Sequence, residues 1–83
     1  MPFEKFTTYT RAQRELAKRK FVIAEVMHSP TSREPVSFVF VNSCDKLRIK
    51  TPSKAVHRLD LVLNFFSFDS IKDAQDFMST NSE

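Results

Sequence analysis

The sequence predicts an α+β fold: one small domain in the order α-β-β-β-(short α)-β-α, an antiparallel sheet with its helices packed on one face. Three observations lead there. The middle of the chain holds β-branched and aromatic runs, two of them alternating apolar and polar residues. Stretches with apolar residues at helical spacing flank that region on both sides. The turns between the first three strands are too short for parallel crossovers, so a meander is the natural pairing.

Residues 1–9 carry three aromatics without a period and read as a loosely packed lead-in. Thr10 and Gln13 match a capping box for a helix from Arg11 to Lys20, with Ala12, Leu16 and Ala17 as a narrow apolar stripe. Phe21 to His28 is nearly all apolar, as expected of a strand buried on both faces. Residues 29–35 form a loop by composition. Val36 to Asn42 is a second strand, Asn42 to Asp45 a turn, and Lys46 to Lys50 a third strand.

Thr51-Pro52 reads as the start of a short helix, with Thr51 as N-cap and Pro52 at the first helical position. Leu59 to Phe68 alternates again. Leu59, Leu61, Leu63 and Phe65 face the core, which leaves Phe66 and Phe68 on the opposite face, available as a protein interface. Asp69-Ser70 caps a final helix from Ile71 to about Ser79, with Ile71, Ala74, Phe77 and Met78 as its buried stripe. Residues 80–83 read as a frayed tail. The element order overlaps that of double-stranded-RNA-binding domains in topology only. Those domains open their last helix with a basic cluster, where this chain has Asp69-Ser70-Ile71-Lys72-Asp73.

Composition narrows the chemistry. A chain of 83 residues buries about 60% of its unfolded surface, which suits one thin core. There is no glycine, so the Walker cradle and the dinucleotide fingerprint are absent in their usual forms. Cys44 is the sole cysteine, which excludes an internal disulfide and points to a reducing compartment. No apolar signal core follows Met1, and no apolar run approaches a membrane span, so the expected location is cytoplasmic. One Cys and two His do not supply a zinc site. Cys44 with His57 is conceivable as nucleophile and base, but no third residue completes the set. No catalytic residue, cofactor or metal is assigned.

Charge is the sharpest signal. The formal net charge is +3, yet residues 1–20 hold six cations against two acids, and residues 46–58 hold five cations and no acid. Lys46, Arg48 and Lys50 alternate with Leu47 and Ile49, which places the cations on one strand face. Lys54 and Arg58 extend the patch, and Arg11, Arg14, Lys18 and Arg19 form a second patch on the first helix. Closely spaced like charges suit a polyanionic partner, either nucleic-acid phosphates (RNA or DNA) or an acidic protein surface. The competing explanation is that lysines guard an exposed strand edge against aggregation. The expected function is a small, non-enzymatic, regulatory nucleic-acid-binding protein with a partly apolar face available for self-association. Its rival is a protein-interaction module, such as an inhibitor of a larger protein encoded by a phage or mobile element, or an accessory subunit of an assembly. Whether the two basic blocks merge decides the size of the surface.

Overall fold

The computed structural model describes residues 3–81, with 32–34 described at the backbone alone. Four strands, β1 (Phe3–Phe6), β2 (Phe21–Ser29), β3 (Ser32–Val41) and β7 (Val62–Phe68), form an antiparallel sheet in the order β1-β7-β2-β3. Two helices, α1 (Tyr9–Ala17) and α2 (Ile71–Asn81), complete the α+β architecture. β2 runs through the sheet interior, as its unbroken apolar run predicts, with Val22, Ile23 and Ala24 all essentially inaccessible.

The helices lie on opposite faces of the sheet, which corrects the one-face arrangement expected above. Ala12 of α1 packs with Val22, Ala24, Val26 and Phe65. Ala74 of α2 packs with Ile23, Phe66 and Phe68. Because side chains alternate along β2 and β7, these two sets point in opposite directions. Phe66 and Phe68 therefore sit beneath α2, 7% and 1% exposed, and are not a protein interface. The sheet needs apolar residues on both faces, so the alternation along 59–68 does not mark a solvent side.

The N-terminal segment is also ordered where described: β1 pairs with β7, Phe3 opposite Phe68 and Phe6 opposite Phe65. Residues 1 and 2 of the expected lead-in lie outside the described residues. Phe3 and Phe6 point to different faces, so no single-face period could reveal this strand. The helix α1 starts earlier than the capping box predicts. Thr8 occupies the N-cap in extended geometry without a side-chain cap, and Gln13 instead donates from Nε2 to the Cys44 carbonyl at 2.9 Å. The helix closes with Arg19 N–H on the Leu16 carbonyl and Lys20 N–H on the Glu15 carbonyl, a Schellman motif. Ser70 caps α2 as expected, accepting the Asp73 N–H on Oγ at 3.1 Å. Ile71 is exposed rather than in the buried stripe, and α2 continues through Thr80 and Asn81. Residues 82 and 83 of the expected tail lie outside the described residues.

The basic stretch departs furthest from expectation. It forms a separate three-stranded sheet, β4 (Ser43–Cys44), β5 (Arg48–Lys50) and β6 (Val56–Arg58), in the order β4-β5-β6. After Val41 the chain bends at Asn42, and β5 pairs back onto β4 rather than onto β3. The expected short helix at 51–58 is a hairpin turn followed by β6. Thr51 N–H donates to the Ala55 carbonyl and Lys54 N–H to the Thr51 carbonyl, with Lys54 at φ 71°. The Thr51 hydroxyl, which would cap a helix, bonds Ser53 Oγ at 2.8 Å instead. Leu59–Leu61 is a single 3-10 turn leading into β7.

Candidate nucleic-acid interface

The small sheet is one-sided. Ile49 is fully buried against Val41 and Phe65, which anchors β5 to the α1 side of the core. Cys44 and His57 are its register partners on β4 and β6, so these three share the inward face. Arg48, Lys50, Val56 and Arg58 take the outward face and are all exposed. Arg48 stands directly opposite Arg58, and Lys50 opposite Val56. Two cations far apart in sequence thus become immediate neighbours, a juxtaposition hidden until β6 is known to be a strand.

Leu47 and Lys46 do not follow the expected alternation. The Asp45 carboxylate accepts the Leu47 N–H at 2.8 Å and the Arg48 N–H at 3.0 Å, which holds residues 45–47 in a tight bend. Strand geometry starts only at Arg48, so Leu47 is 65% exposed and Lys46 lies in the bend beside the strand face. Those two N–H donors hold the Asp45 carboxyl below its usual range, with smaller help from the Arg48 and Lys50 charges. Lys54 projects from the hairpin turn at the other end of β5 and is exposed. Arg58 pairs with Asp60, whereas Lys46, Arg48, Lys50 and Lys54 form no ion pair among the described residues. Five cations thus face the two carboxylates of Asp45 and Asp60 in this segment.

The helical cations are arranged differently. Gln13 reaches β4, so that flank of α1 faces the small sheet. Arg11 lies on the other flank, where it bonds Glu4 at 2.8 Å and covers the Phe6 ring at 4.8 Å. Lys18 is on the same flank as Arg11 by helical spacing, 3.6 Å from Glu15. Arg14 and Arg19 are exposed and form no ion pair among the described residues. The structure brings Arg48, Lys50 and Arg58 together, with Lys46 and Lys54 at the ends of β5. It does not bring Arg11 and Lys18 to that face.

One group that the sequence did not single out is the Glu15 carboxylate of α1. Glu15 is 3% exposed and accepts a hydrogen bond from Ser67 Oγ at 2.7 Å. That bond, helped by Lys20 and Lys18, holds its carboxyl below the usual range despite burial. Lys20 also reaches Asp69 at 3.0 Å, a contact that raises its own pKa. Cys44 and His57 flank Ile49 on two different strands, about 10 Å apart at strand spacing, so they do not form a nucleophile–base pair. Burial, with the Asp45 charge adding to it, pushes the Cys44 thiol up. No helix among the described residues is long and apolar enough to cross a membrane.

No protein-family model, curated protein or solved structure matches this chain.

Proposed function

We propose that this protein binds nucleic acid through its phosphates, using the outward face of the β4-β5-β6 sheet. The observation that carries this reading is the cross-strand pair Arg48 and Arg58, extended by Lys50 on the same face. Like charges placed directly opposite in a sheet are destabilising, and a polyanion bound across them relieves that repulsion. Arg48 and Lys50 are exposed and lack carboxylate partners among the described residues, which leaves their donors available for phosphate oxygens. Edge protection alone is a weaker account, because Arg48 and Lys50 are on β5, the inner strand of its sheet.

The aromatic residues limit what such a face can read. All nine phenylalanines belong to the two core clusters on either side of the large sheet. None lies on the cationic face, so that face offers no phenylalanine on which to stack an unpaired base. The expected binding is therefore independent of sequence, and as strong for duplexes as for single strands.

The test is fluorescence anisotropy with DNA and RNA duplexes and single strands of about 20 nucleotides over a salt series. Three to five phosphate contacts predict a slope of about −2.7 to −4.5 in log K against log salt for duplex DNA, and about −2 to −3.5 for single strands. Charge reversal at both positions, R48E with K50E, should weaken every probe alike and reduce that slope by about two. Both side chains are exposed, and R48E puts a carboxylate opposite Arg58, so the thermal melt should not fall. Absence of binding at about 50 mM salt, or binding indifferent to these substitutions, overturns the proposal.

A further inference from the structure

We propose that the outer edge of β3 is a docking groove for an extended peptide segment of a partner protein, apolar in its middle and acidic at the end beside the β5–β6 hairpin. β3 is a terminal strand of the large sheet and pairs only with β2. Among the described residues, no backbone hydrogen bond satisfies the other side of Val36 to Val41. Unpaired N–H and C=O groups in a row are a template for one kind of occupant, another extended backbone. The opposite edge is guarded: β1 has four residues, and Glu4 and Lys5 occupy its middle. Val36 to Val41 contains no charge at all.

The space beside this edge is shaped for a strand. A cleft of about 350 Å³ lies against His28, Pro35, Val36 and Phe38. A second, of about 330 Å³, lies between Phe38 to Phe40 and the β5–β6 hairpin, with Pro52, Ala55 and His57 as its far wall. Both clefts are lined by Phe38 and Met78, so they run on from one another along the strand. Val36 to Phe40 remain half-exposed there, while Val22, Ile23 and Ala24 on the neighbouring strand are inaccessible. Six extended residues span about 20 Å. The β5–β6 hairpin walls one side of the second cleft and stands in the way of the broad sheet edge of a second copy. Among the described residues no carboxylate lines either cleft, and Lys54 belongs to the turn that forms the wall, which favours an acidic residue at that end of the occupant. Backbone edge and apolar lining exclude a nucleic acid as the natural ligand of this groove.

The probe is a phage-displayed library of random twelve-residue peptides selected on the intact protein. Enriched sequences should alternate apolar residues and carry an acidic residue at one end. A synthetic copy should protect the amides of Val36 to Phe40 from hydrogen exchange. Ala55→Trp fills the groove from an exposed position, and it should weaken that peptide at least about tenfold. N-methylation of alternate peptide amides should do the same without altering either protein or side chains. R48E with K50E should leave peptide binding intact, so this proposal and the nucleic-acid reading fail separately. No enrichment, peptides with helical periodicity, or binding unchanged by Ala55→Trp overturns the proposal. A doubled mass in light scattering with protection of the same amides also overturns it, since the groove would then hold a second copy.

Discussion

Arg19 and Lys54 both hold the left-handed backbone conformation, at φ 63° and 71°. Each occupies a position that proteins ordinarily give to glycine. Arg19 closes the Schellman motif of α1, and Lys54 follows the Thr51-Pro52-Ser53 turn of the β5–β6 hairpin. A chain with no glycine must use side-chain-bearing residues there, at a steric cost of about 1–2 kcal/mol each. Glycine would remove that cost while adding about 0.5–1 kcal/mol of unfolded-state entropy, so each substitution should stabilise by about 0.5–1 kcal/mol. Arg19→Gly and Lys54→Gly should each raise the melting temperature by a few degrees, since about 1 kcal/mol shifts a domain of this size by 4–8 °C. A fall in melting temperature for both would show that the side chains, not the backbone, dominate these positions. Lys54→Gly should also lower affinity for nucleic acid slightly, because it removes a cation beside the candidate face, whereas Arg19→Gly should leave affinity unchanged.

The elements are held by contacts of which sequence periodicity shows only some. α1 has a narrow apolar stripe, and its second attachment is polar: buried Glu15, accepting from Ser67 on β7. A carboxyl held below its ordinary value of 4.5 stabilises the fold fully above that pH, and the contribution is lost as pH falls through the depressed folded value. Urea midpoints measured from about pH 7 to 3 should therefore fall for the native chain, and less steeply for Ser67→Ala, in which only the lysine charges remain to oppose the effect of burial on Glu15. Glu15→Gln should flatten the same range by removing the titration, and parallel curves for all three proteins would refute this attachment. Much of the element order was legible: β2 as an interior strand, the pairing of β2 with β3, and the Ser70 cap all follow from composition and turn chemistry. Three features were not, each for a physical reason. β1 puts one phenylalanine on each face and so has no period. β6 looks like a capped helix start because Thr51-Pro52 serves a hairpin turn equally well. Arg48 faces Arg58 only once β6 pairs with β5, so the densest part of the candidate site had no local signature.

At the scale of the whole molecule, one sheet carries two half-cores, and β2 and β7 contribute to both. The α2 side is mostly aromatic, with Ile23, Ala74 and Met78 among its phenylalanines. Phe77 projects from α2 into four rings, those of Phe3, Phe38, Phe66 and Phe68, at centroid distances of 5.4, 5.4, 4.8 and 5.3 Å. Those partners come from β1, β3 and β7, so a single side chain ties the helix to three of the four strands of the large sheet. Edge-to-face and tilted ring pairs add to the burial energy of each ring. A domain of this length has a total stability of about 4–12 kcal/mol, and truncating a core phenylalanine costs about 3 kcal/mol or more. Phe77→Ala should therefore remove a large fraction of the total, and Phe77→Leu, which keeps most of the volume, distinctly less. Because the two half-cores share β2 and β7, the loss should not stay on the α2 side. Hydrogen exchange should accelerate together at α1, β2 and β7, and chemical denaturation of Phe77→Ala should remain a single transition at a lower midpoint. If α2 melts alone while the α1 side keeps its protection, the two faces are independent units and the sheet does not couple them.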